Sequence, residues 1–195
     1  MPKDRNVLNA LIVSSTGGSF EKIRSLLPRI RFGSVLHASS ANEARLKASD
    51  GFCDIVIIST PLRDESGIQL AVDISGRGRA EVLVLAGQDI YSQASYITER
   101  YGIILLATPC SRQVLTQTVN VLATERIKLA NLFDQNQRLR EKLDEMRLCD
   151  RAKLLLMQNL GMTEAQAHKY IEKTAMDRCV KRTAIASDII KTYES

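Results

Sequence analysis

Side chains able to do covalent or metal chemistry are scattered along this 195-residue chain. The four cysteines, Cys53, Cys110, Cys149 and Cys179, share no CxxC spacing and stand in no Cys/His cluster, so neither a zinc nor a dithiol site is expected. No carboxylate pair and no nucleophile with a neighbouring base occurs, which argues against an enzyme and against a bound cofactor. The loop Ser14-Ser15-Thr16-Gly17-Gly18 could cradle a phosphate, but it lacks the lysine and the spaced glycines of that motif. The remaining chemistry is charge. Residues 1–110 carry 12 basic and 11 acidic side chains, and residues 111–195 carry 15 and 11. The excess sits in the C-terminal half, as expected if a polyanion binds there. Lys169 and Lys173 are one helical turn apart, a spacing that tracks a phosphate backbone.

The elements that must position these groups fall into three segments. Apolar runs at 7–13, 54–58, 81–85 and 103–107, with a shorter one at 35–37, read as strands. Between them, helical spacing is expected at 20–27, 41–48, 68–74 and 91–101. Strands alternating with helices give an α/β, flavodoxin-like fold: a five-stranded parallel sheet of order 2-1-3-4-5, covered on both sides. Tryptophan is absent and aromatic residues are 5% of the chain, so aliphatic packing dominates. No signal peptide or membrane-spanning run is expected, which together with the cysteine usage points to a reducing cytoplasm.

This first segment, residues 1–111, resembles the receiver domain of two-component response regulators, and the resemblance fails at each chemical position. An acidic pair that holds Mg²⁺ is replaced by Ser14 and Ser15. The phosphate-accepting aspartate becomes Ser59, the following Thr or Ser becomes Ala86, and the lysine before a proline becomes Thr108. Neutral hydroxyls are poor Mg²⁺ ligands, and a serine cannot form an aspartyl phosphate. The resemblance therefore implies a pseudo-receiver without phosphorelay. Asp64, five residues beyond Ser59, is a poor substitute. An unrelated doubly wound domain binding a ligand at the same edge is the competing reading.

From Arg112 to about Asn159 neither proline nor glycine interrupts a helix. A heptad frame places Leu129, Asn136 and Leu143 at a and Leu132, Leu139 and Met146 at d. Asn136 at an otherwise apolar a position is the kind of residue that fixes a parallel two-stranded register. Residues 112–147 are thus expected to form a coiled coil that makes the protein a homodimer; a helix folded back on its own domain is the alternative.

The last segment, residues 148–195, contains Leu154, Leu155, Leu156, Met157 and Leu160, then Gly161 as a helix stop and Thr163 with Gln166 as a capping box. Ala167, Tyr170, Ile171, Thr174 and Ala175 share a helical face, and that phase makes a core position the expectation for Tyr170, with stacking on a base as the alternative. Thr183 is expected to cap a third helix carrying Ile185, Ile189, Ile190 and Tyr193. Ala152-Lys153, the Leu-Met near the helix end, Gly-Met-Thr-Glu, Ala167, Ala175-Met176 and the final Ala-x-x-Ile together resemble an ANTAR domain, a three-helix RNA-binding module of bacterial transcription antiterminators. The resemblance implies binding of paired hairpin loops in nascent mRNA, which keeps a terminator stem from forming. Candidate RNA contacts are Arg151, Lys153, Lys169, Lys173, Arg178, Lys181 and Arg182, with Lys153 favoured because it falls on the family's Ala-Lys pair. A regulatory protein partner could set the activity. The competing readings are a protein-interaction adaptor built on the same helices and a DNA-binding helix-turn-helix.

Overall fold

Seven consecutive buried residues make β1 (Leu8–Ser14), and the first four residues of β3 (Ile55–Ser59) are buried as well. A strand covered on both faces reads as an unbroken apolar run, because alternate side chains each meet their own layer of helices. With β2 (Phe32–Ala38), β4 (Glu81–Gly87) and β5 (Ile104–Thr108) they form a parallel sheet in the expected order β2-β1-β3-β4-β5. The structure, a computed structural model, describes residues 7–49, 51–78 and 80–194. Strand β1 pairs with β2 on one side and β3 on the other, so the connections leaving the carboxyl ends of the sheet diverge there.

Helices α1 (Gly17–Arg24), α2 (Ala41–Ser49), α3 (Ile68–Ser75) and α4 (Gln88–Arg100) cover the sheet together with the N-terminal part of α5 (Arg112–Leu160). Leu11, Val13, Ile58, Leu70, Ile74 and Val84 fill the layer on one face. On the other face Ile12, Ile23, Ile57 and Leu83 meet Leu115, Val119 and Leu122 of α5. Each such side chain stabilises the fold by about 1.5–3 kcal/mol relative to exposure. Several boundaries differ from expectation; α4, for example, starts at Gln88 rather than Tyr91. The Thr16 hydroxyl accepts the Ser19 amide and caps α1 at Gly17, shortening the loop after β1. β2 runs from Phe32 rather than Val35, because its pairing with β1 supplies what Gly33 and Ser34 lack in strand preference.

By internal packing the chain divides into two units, Met1–Ala130 and Asn131–Ser195. The second contains the C-terminal part of α5, α6 (Glu164–Asp177) and α7 (Arg182–Tyr193). Gly161, at φ 63°, ends α5 in the left-handed region that favours glycine. Thr163 and Gln166 form both halves of a capping box on α6. Ala152, Leu156, Ala167, Ile171, Ala175, Ile185 and Ile189 are buried together.

Three details of this unit correct the expectation. Leu154 and Leu160 are exposed, since one helical face suffices to meet α6 and α7. Tyr170 is 45% exposed rather than in the core; Ile171 and Ala167 occupy the inward positions. Thr183 does not cap α7. Cys179 adopts a left-handed φ of 53° that ends α6, and the helix re-forms at once, with Lys181 as N-cap and no side-chain cap bond.

Candidate functional site

The carboxyl edge of the sheet brings the five substituted positions into one row. Ser14 pairs in register with Ser59, Ser59 with Leu85, Ala86 with Ala107, and Gly87 with Thr108. The hydroxyls of Ser14 and Ser15 are already engaged. Buried Ser14 donates its Oγ–H to the Thr16 carbonyl at 3.1 Å, and His37 Nε2 lies 3.1 Å from that Oγ and 3.2 Å from the Ser14 carbonyl oxygen. The His37 ring stacks on Phe20 at 4.5 Å. Ser15 Oγ donates to the Pro61 carbonyl at 2.7 Å, and Arg63 Nε donates to the Ser15 carbonyl at 3.1 Å.

Asp64, the nearest carboxylate beyond Ser59, accepts the Ala41 and Asn42 amides at 2.9 and 3.1 Å. Those two bonds at the start of α2 hold its carboxyl below the usual range. A Mg²⁺ ion needs charged hard oxygens. The neutral, internally satisfied hydroxyls of Ser14 and Ser15 and the committed Asp64 do not fit it. Among the described residues no three His, Cys, Asp or Glu side chains gather closely enough to hold a metal ion.

The second unit carries an open groove of about 780 Å³ between α5 and the starts of α6 and α7. Lys142, Lys153, His168, Lys181 and Arg182 line it, against Glu145 and Asp150. Lys153 is held rather than free. Its Nζ lies 2.8 Å from Asp150 and 2.9 Å from Glu164, and its side chain is only 16% exposed. The hydrogen bonds to Asp150 and then Glu164 raise its pKa above the ordinary lysine value. Arg182 pairs with Glu172 at 3.1 Å, and His168 lies 3.4 Å from the same carboxylate. Burial pushes the Cys149 thiol in this groove upward, away from thiolate reactivity.

Residues 137–190 match the ANTAR domain family. The transcriptional regulatory protein PdtaR of Mycobacterium tuberculosis is 27% identical over 139 residues, which span 71% of this chain and 68% of that protein. A response regulator receiver domain from Clostridium thermocellum superposes on 65% of this chain and 99% of its own, at 21% identity and a TM-score of 0.53. A receiver domain of an HD domain-containing protein from Pseudomonas fluorescens Pf-5 superposes at 17% identity and a TM-score of 0.57, over 65% of this chain and 93% of that one. The C-terminal end of the chain thus carries an ANTAR domain. The N-terminal unit has the receiver fold.

The structure sorts the ANTAR candidates. Lys153, Lys181 and Arg182 share the groove. Lys169 and Lys173 project from α6 and make no ion pair among the described residues. Arg151 lies elsewhere, donating from Nε and Nη2 to the two carboxylate oxygens of Glu194 at 2.7 Å each, and Arg178 faces Asp188 at 3.9 Å on α7. Sequence reading missed Lys142 and His168, which line the groove only because α5 and α6 pack together. The restraint on Lys153 by Asp150 was legible from the three-residue spacing; that by Glu164 needed the fold. On α5, Leu132, Asn136, Leu139, Leu143 and Met146 are all exposed, as is Leu129, and exposed Phe133 stands beside them. No helix of the described residues is long and apolar enough to cross a membrane.

Proposed function

We propose that the ANTAR unit binds hairpin loops of nascent mRNA and, by holding two at once as a homodimer, keeps a terminator stem from forming. The observation that carries this reading is the open groove lined by Lys142, Lys181 and Arg182, with Lys153 held at its wall by Asp150 and Glu164 and a second pair of lysines on α6. Loops display unpaired bases, and lysine and arginine hold the phosphates beside them. A gel shift with RNA carrying two adjacent short hairpins is the test. Wild type should bind, Lys181→Ala/Arg182→Ala should bind more weakly, and rising salt should weaken the complex steeply. Binding to no hairpin RNA in dilute buffer would overturn the reading.

The receiver-fold unit, on this reading, keeps the sheet and lacks the switch. The filled edge at Ser14 and the absence of an acid at Ser59 support it. Incubation with a small phosphodonor and Mg²⁺ should leave the mass of the protein unchanged, and a stable adduct would refute it. Control then comes from a partner protein or not at all. The competing reading, a protein-binding adaptor, draws on exposed Met176 and Val180 and predicts a tail indifferent to RNA.

A further inference from the structure

The ANTAR unit holds a second, smaller cleft that shares no lining residue with the basic groove. Tyr170 on α6 and Tyr193 on α7 line it, 45% and 36% exposed, above buried Leu156. Arg178 and Asp188 stand at it with 3.9 Å between guanidinium and carboxylate, both mostly in solvent. Its volume is about 180 Å³. Sites that bury whole drug-sized ligands run to about 300–1,000 Å³, so this one suits a single planar ring system.

We propose that the cleft takes one unpaired nucleobase of the bound RNA, stacked on the tyrosines and read at its edge by Arg178 and Asp188. The inference rests on the RNA reading above and adds base recognition to it. Aromatic rings supply a stacking face that any base can use. The long ion pair leaves both partners free to turn outward. Guanine fits them best, since O6 and N7 accept from a guanidinium while its N–H groups donate to a carboxylate. The cleft's threonines are spent: Thr174 Oγ1 donates to the Tyr170 carbonyl and Thr192 Oγ1 to that of Asp188. Lys173 is three residues from Tyr170 and one turn from Lys169, so a strand that seats its base here meets two cations for its phosphates.

The experiment titrates the full chain with two-hairpin RNA in which a fluorescent guanine analogue that keeps O6, N7 and the N–H groups replaces each loop guanine in turn. Wild type should quench the fluorescence at one loop position. Tyr170→Leu and Tyr193→Leu, which keep apolar cover over Leu156, should each bind about tenfold more weakly, with an unchanged salt slope. Tyr170→Phe and Tyr193→Phe should bind like wild type. Lys169→Ala/Lys173→Ala should instead flatten the salt slope by about two. Wild-type binding with no quenched position, or Leu variants that bind as wild type does, would overturn the inference and leave RNA binding standing. If wild type binds no hairpin at any salt, the RNA reading itself fails. Should a Leu variant melt early, the wild-type quenching pattern still decides.

Discussion

Glu43 shows how a single side chain ties pH to stability. Lys47 Nζ lies 2.6 Å from its Oε1, and the Ser39 amide and hydroxyl both donate to its Oε2. The Lys47 hydrogen bond first, then the Ser39 amide, lowers its pKa from the ordinary 4.5 to about 2. A depressed carboxylate contributes stability that is complete above the unfolded value and disappears as pH falls through the folded one. The melting temperature of wild type should therefore drop more steeply than that of Glu43→Gln between pH 4.5 and about 2, and converge on it below. Motifs matched to a receiver gave the row of substituted positions from Ser14 to Thr108, which lie at or beside the carboxyl ends of the strands. They did not give the plug at Ser14. His37 reaches that hydroxyl only through the β1–β2 register, which no local pattern encodes.

The helices of the ANTAR unit are individually marginal and depend on their ends. Thr163 satisfies the Gln166 amide while Gln166 Oε1 accepts the Thr163 amide at 2.8 Å. Replacing Thr163 by Ala should cost about 1 kcal/mol, measured by urea unfolding of the full chain followed at the tail. Along α5 the exposed stripe from Leu129 to Met146 supports a dimer seam, with Leu139 60% and Met146 61% exposed. Leu139→Asp should convert a dimer to a monomer in sedimentation at micromolar concentration. A wild type that sediments as a monomer would remove the seam. Helix periods and stops were legible in the sequence, from Gly161 to the capping box. The start of α7 was not, since Thr183 has the right chemistry at a position already inside the helix. There the left-handed Cys179 decides, and a non-glycine residue with positive φ leaves no trace in local propensity.

For the whole molecule the sheet order and the three-helix tail followed from alternating strand and helix periods. What did not follow was which lysines stay free, because that depends on packing between helices distant in sequence. Two ANTAR units joined by one seam would turn the second hairpin into an intramolecular ligand. RNA with two hairpins should therefore bind wild type at least tenfold more tightly than RNA with one, and Leu139→Asp should erase that difference in parallel titrations.

The engaged hydroxyls at the end of β1 also bear on attempts to give this chain a phosphate input. Writing an aspartate at Ser59 would place one acid among spoken-for neighbours. The imidazole of His37 would still cover Ser14, Ser15 would still tether Pro61, and Asp64 would still brace the start of α2. An engineer would have to evict the ring, rebuild the acidic pair and install a lysine at Thr108 together. Partial revertants along that route should form no stable phosphate adduct, which an intact-mass measurement with a small phosphodonor and Mg²⁺ would check.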